Sequence, residues 1–140
     1  MTNERRKVID WIERKGYSFK EGEEDLFDPT EKVITIKKKL SEQNKLFTLL
    51  HECGHFIVQK NPIEYRRRYK VQHSVNSGQK KKSTRWRIEY LKEEYEAWDK
   101  GFGLSKSLTL NINEDKYFNY ASKCLKSYCQ WVCEPKSREI

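Results

Sequence analysis

Nothing in the 140-residue chain approaches the run of about 18 consecutive apolar residues that a membrane-spanning helix needs, so no such span is expected. The opening residues, MTNERRKVIDWIERKG, hold neither an apolar signal core nor a small-residue cleavage site, which places the expected site of action in the cytoplasm. Cysteine is sparse. Cys53, Cys124, Cys129 and Cys133 include no Cys-x-x-Cys pair, and without an oxidising compartment they are expected as free thiols. Cys129 and Cys133, four apart, read as small half-buried positions on a helix rather than as ligands. Histidine is scarcer still, at three residues, which makes the placement of two of them informative.

What is present is charge and aromatic surface. Charged and hydrophobic residues each make up 36% of the chain and aromatics 13%, the balance of a polar-surfaced globular protein whose core leans on Trp, Tyr and Phe. At this length residues 1–140 are expected to form a single domain. The net charge of +8 is clustered in Lys37-Lys38-Lys39, Arg66-Arg67-Arg68 and Lys80-Lys81-Lys82, the last followed by Arg85 and Arg87, with Tyr65, Tyr69 and Trp86 beside the runs. Such runs are either a solvated surface with lysines guarding a sheet edge, or an electrostatic footprint with nucleic acid as its first candidate partner.

The stretch around which the chain is organised is Leu46 to Gln59, LFTLLHECGHFIVQ. At about 100° per residue Leu46, Leu49, Leu50, Cys53 and Ile57 share one stripe, while His51 and His55 stack on nearly the opposite side. The helix is expected to bury one face and present two imidazoles on the other. Two neutral imidazoles one turn apart can both ligate one Zn²⁺, and Glu52, one residue round from His51, can reach a water at the metal. His51-Glu52-x-x-His55 is therefore the outline of a hydrolytic site, and Gly54 inside it suggests close approach by another backbone.

Around that helix the pattern predicts a small α+β domain. Thr2 or Asn3 caps a first helix through Arg14 or Lys15, with Val8, Trp11 and Ile12 as its apolar stripe and Gly16 as its stop. Tyr17 to Phe19 reads as a short strand, Glu21 to Asp25 as an acidic loop, Asp28-Pro29-Thr30 as a turn and Lys32 to Lys37 as a β-branched strand. That strand, lying beside the metal helix, is a candidate holder of an extended peptide if it has a free edge. Ser41 caps the metal helix and Asn61-Pro62 ends it. From Tyr65 to Thr84 a long, mobile basic loop is expected, holding His73 as a loop residue. Arg85 to Ser105 returns to helical period with Ile88, Leu91, Tyr95, Trp98 and Phe102 as the apparent buried stripe. Leu108 to Ile112 is a short extended connection. Asn113 caps a last helix running to about Cys133, whose Tyr117, Tyr120, Ala121, Cys124, Leu125, Tyr128, Trp131 and Val132 would close the core.

With Phe47-Thr48-Leu49-Leu50-His51-Glu52-Cys53-Gly54-His55 following the strand Val33-Ile34-Thr35-Ile36, the chain resembles the ImmA/IrrE-like zinc metallopeptidases, minimal gluzincin-type enzymes common in bacteria, phages and mobile elements. The likeness covers roughly residues 30 to 105. It implies a zincin-like fold, a short sheet packed on the metal helix with further helices on its C-terminal side. In the family a later Glu-x-x-Ala supplies the third zinc ligand, and Glu94-Tyr95-Glu96-Ala97 has that form. The resemblance thus implies His51, His55 and Glu94 as ligands and Glu52 as general base. The chain departs from the family after the third ligand, where Trp98-Asp99-Lys100-Gly101 stands in place of an apolar run and a Met-Pro.

A helical wheel selects the same third ligand. Relative to the Ile88 to Phe102 stripe, Glu93 lies almost opposite, Glu96 about 120° away and Glu94 about 80° away, on the border from which a carboxylate can reach a partner helix. Ala97 and Gly101 continue that flank with small side chains. The expected chemistry is hydrolysis of peptide bonds in a protein substrate by a zinc-activated water, with Glu52 moving the proton and a tyrosine, Tyr69 or Tyr95 ahead of His73, at the oxyanion. The alternative is a basic nucleic-acid- or protein-binding module on the same scaffold, with structural zinc or latent activity.

Overall fold

A computed structural model describes residues 1–72 and 83–135. Helix α1 (Asn3–Arg14) starts at Thr2, whose hydroxyl accepts the Arg5 amide at 3.1 Å, and buries Val8, Ile9 and Ile12. It stops at Gly16, whose φ of 91° favours a residue without Cβ. Strands β1 (Ser18–Gly22), β2 (Leu26–Asp28) and β3 (Val33–Lys37) form one sheet in the order β1-β3-β2, with β1 parallel and β2 antiparallel to β3.

Two expectations change here. The acidic run is not simply a loop, because Glu21 and Gly22 belong to β1, and β2, three residues long, had too little alternation to be read. The β-branched strand at 33–37 is the middle of the sheet, paired on both sides, so it has no edge for a peptide. Among the described residues the free edge nearest the metal helix is that of β2.

Helix α2 (Glu42–Gln59) carries the motif and begins at Ser41, whose hydroxyl accepts the Asn44 amide. Its central turns, Leu46 to His55, are buried all round rather than on one face. The sheet and α1 cover the apolar side, where Ile34, Ile36, Leu49, Leu50 and Cys53 are fully inaccessible. Helix α4 (Thr84–Ser107) covers the histidine side. Between them α3 (Pro62–Arg68) starts at Asn61 with Pro62 in its first turn, where a missing amide hydrogen costs nothing. The expected basic loop from Tyr65 therefore begins as helix: Asn61 and Pro62, read as a stop, also start a new helix. The remainder of that loop, 73–82, including His73 and Lys80 to Lys82, lies outside the described residues.

Helix α4 keeps the expected period but not the expected face. Ile88 and Tyr95 are 52% and 59% exposed, whereas Glu93, Glu94, Ala97, Trp98 and Gly101 are buried. The face against α2 is built from carboxylates and small residues, which a hydrophobic stripe cannot reveal. Helix α5 (Glu114–Cys133), capped by Asn113, buries only Tyr117 and Ala121 completely. Cys129 and Cys133 are exposed, not half-buried, and all four thiols are free. Among the described residues no helix is long and apolar enough to cross a membrane.

Candidate metal centre

The close approach of α2 and α4 decides what their side chains can do. A Cβ on Gly54 would lie 1.8 Å from the Ala97 carbonyl oxygen, and one on Gly101 would lie 2.5 Å from that of Leu50. Two glycines on opposite helices, each against the other's backbone, hold the helices near contact and bring Glu93 and Glu94 onto the histidines.

His51 Nε2 lies 3.2 Å from Glu94 Oε1, and His55 Nε2 lies 3.0 Å from Glu94 Oε2. His51 Nε2 is buried without a hydrogen-bond partner. Donor atoms about 2.0–2.1 Å from one tetrahedral ion stand about 3.3 Å apart, so these separations suit a shared cation. Ligand atoms of His51, Glu52 and His55 lie within 4.8 Å of one another. Glu94 meets the Nε2 atom of each ring through a different carboxylate oxygen. Glu52 Oε1 instead sits 3.2 Å from Nδ1 of His51, on the ring's other side. Glu52 is itself buried, at 5% exposure.

Sequence reasoning missed Glu93. Expected almost opposite the buried side, it is 7% exposed, and its carboxylate accepts His55 Nδ1–H and the Gln59 amide, both at 2.8 Å, together with the Tyr65 hydroxyl. Its acceptor role holds the proton on Nδ1, so that Nε2 is the atom left to bind a cation once His55 is neutral. The only legible hint was a second glutamate beside the Glu-x-x-Ala motif. Glu96, by contrast, pairs with Arg68 away from the centre.

Aromatic rings complete the walls. Trp98 stacks on His51 at 4.2 Å and 12° between planes, and Phe27 of β2 lies nearly parallel to His55 at 6.1 Å. In the metal-free chain burial disfavours both imidazolium ions, but the carboxylates outweigh it: Glu52 and Glu94 raise His51, and Glu93 and Glu94 raise His55 further. Burial likewise opposes ionisation of Glu94, and the two histidines overcome it, holding its carboxyl far below the usual range. A cation that binds between these groups has to displace the protons that the histidines hold. The residues present fit one divalent ion. The purified protein is expected to carry close to one per chain; elemental analysis finding no metal, and no uptake of added Zn²⁺, would remove the site.

The centre opens into a cavity of about 370 Å³ bordered by Asp25, Leu26 and Phe27 on the sheet side and by Tyr90, Tyr120 and Tyr128 on the other. Neither expected oxyanion tyrosine lines it: Tyr69 is fully buried and Tyr95 faces solvent. The sequence offered no means of choosing among eight tyrosines. Of the described residues in the basic runs, Arg67 pairs with Glu64, Arg68 with Glu96 and Lys38 with Glu23, and Arg87 is buried against the Trp131 and Glu134 carbonyls.

Comparison with known proteins gives one family. The peptidase family described as the IrrE N-terminal-like domain matches residues 13–74, which include the sheet, α2 and α3. The match starts earlier than the sequence likeness suggested and ends before Glu94. No curated protein and no solved structure matches the chain.

Proposed function

From an ImmA/IrrE-like peptidase domain over residues 13–74 that holds the whole His51 to His55 motif, we propose a zinc-dependent metallopeptidase acting on a protein substrate. The observation that carries this reading is the convergence of two imidazole Nε2 atoms, one turn apart on α2, with a buried α4 carboxylate, and a second buried carboxylate, Glu52, just outside the set.

His51, His55 and Glu94 are the residues that would hold the zinc. Bound there, zinc supplies Lewis acidity toward a substrate carbonyl and lowers the pKa of water at the site. Glu52, buried beside His51 Nδ1 and lining the cavity, is placed to take a proton on its carboxylate from a water in the cavity and to deliver it to the leaving amine. Glu93 keeps His55 in the Nε2-accepting tautomer, and Trp98 fixes the plane of His51. The exposed edge of β2 at Leu26 and Phe27 borders the cavity and can align an extended chain by backbone hydrogen bonds, the role the sequence had suggested for the strand now seen at the sheet centre.

Glu52→Gln tests the reading. It is expected to keep the zinc and the fold and to lower peptide cleavage at least about a hundredfold, because the amide retains shape but cannot accept the proton. Cleavage at the wild-type rate by the variant would show that Glu52 is not the base.

A further inference from the structure

Beside the metal cavity, between the N-terminal part of α4 and the C-terminal part of α5, a groove of about 410 Å³ is lined by Trp86, Tyr90, Ser127, Tyr128 and Trp131. Tyr90 and Tyr128 are also walls of the metal cavity, so the two spaces adjoin across this pair, whose rings stand 5.7 Å apart. The lining changes character at that point. The metal cavity is lined by four carboxylates, Asp25, Glu52, Glu93 and Glu94, whereas among the described residues the groove is lined by no charged side chain.

The groove is also held in shape without an occupant. Trp86 and Tyr90 each meet Trp131 edge to face, at 6.0 and 5.6 Å. The Arg87 guanidinium ties the helices by donating to the carbonyls of Trp131 and Glu134, and lies over the Trp131 ring. A preformed aromatic slot that opens from a polar cavity gains affinity from a large side chain that packs on its rings, whereas an anionic one would lose its water there and meet the negative ring faces.

Resting on the peptidase reading, we propose that this groove is a specificity subsite that receives an aromatic or large aliphatic side chain of the substrate, a few residues from the bond that is cut. Its occupant shares the Tyr90–Tyr128 wall with the reacting segment, and the groove thereby selects apolar sequence next to a site whose own charges are acidic.

The test has two arms on the full zinc-loaded chain. In the first, N-acetyl-phenylalaninamide and N-acetyl-aspartamide are titrated while the indole N–H signals of Trp86 and Trp131 are followed by NMR. The phenylalanine probe is expected to shift both signals saturably and to leave Trp11 unmoved; the acidic probe should leave all of them in place. Ser127→Glu, an exposed position where the change adds charge to the wall without removing packing, is expected to weaken the phenylalanine probe about tenfold, and Trp131→Ala by at least as much. In the second arm a mixed peptide library is digested and the products are sequenced by mass spectrometry. Large apolar residues should be enriched at one fixed position from the cut, and Ser127→Glu should erase that enrichment. Equal or absent response to the two probes overturns the subsite. Probe binding with cleavage that shows no positional preference also overturns it, because the groove would then stand outside the substrate path. Probe binding with no cleavage of any peptide overturns the peptidase reading instead and leaves the groove as a side-chain site.

Discussion

Glu94→Ala is expected to weaken zinc binding by about a thousandfold, while Glu96→Ala leaves it within a small factor of wild type. Structural zinc sites bind with on the order of 10–16 kcal/mol, and an anionic ligand that carries roughly 4 kcal/mol of such an affinity corresponds to about a thousandfold. Glu94 faces both Nε2 atoms, at 3.2 and 3.0 Å, and is 6% exposed, so water cannot replace it in the same geometry. Glu96 faces Arg68 instead. Glu93→Gln falls between the two, at about 10–100-fold, the usual cost of disturbing the group that orients a ligating histidine. Its amide oxygen can still accept from His55, but the negative charge behind the ring is gone. Competition with a chromogenic chelator ranks the variants. Equal affinities for Glu94→Ala and Glu96→Ala would place the third ligand elsewhere, and a Glu93→Gln value equal to wild type would remove its orienting role.

Gly54→Ala should damage the protein as a whole. The new methyl would have to occupy space 1.8 Å from a backbone carbonyl oxygen and 2.6 Å from its carbon, and a helix backbone has no rotamer with which to yield. The helices must separate, at about 3 kcal/mol or more by the scale of overpacked cores, enough to lower the melting temperature by about 10 °C. Separation also draws Glu94 off the histidines, so metal affinity should fall with stability. Gly103→Ala on the same helix α4 is the control. Nothing lies within 4 Å of its added Cβ, and alanine's better helix propensity should leave stability unchanged or slightly raised. Similar melting temperatures for Gly54→Ala and wild type would mean that the two helices are not held at the spacing described.

Much of this site could be read before any coordinates. The i, i+4 histidines and Glu52 are local to one helix, and Ser41 and Asn61 mark its start and its successor through side-chain caps that depend only on neighbours in sequence. The small residues Ala97 and Gly101 correctly pointed to the flank on which Glu94 stands, although that flank is the middle of the buried face rather than its border.

The remainder depended on which surfaces meet. The apolar stripe of α4 through Ile88 and Tyr95 pointed the wrong way, because its true partner surface is the polar side of α2, where two glycines allow close approach and buried carboxylates satisfy buried imidazoles. Nothing in local periodicity distinguishes Glu93 from a solvated glutamate; its acceptor role exists only once His55, Gln59 and Tyr65, from two other helices, surround it. The sheet order decided in the same way which strand has a free edge, since the β-branched run that reads best as a strand is the one most fully paired. The sequence by itself determined the chemistry within one helical turn: two imidazoles and a carboxylate, correctly spaced and capped into place. Only the tertiary structure decided the company of Glu93 and Glu94, the walls of the cavity and the aromatic groove beside it, because those depend on helix separation and strand order, which residues distant along the chain set together.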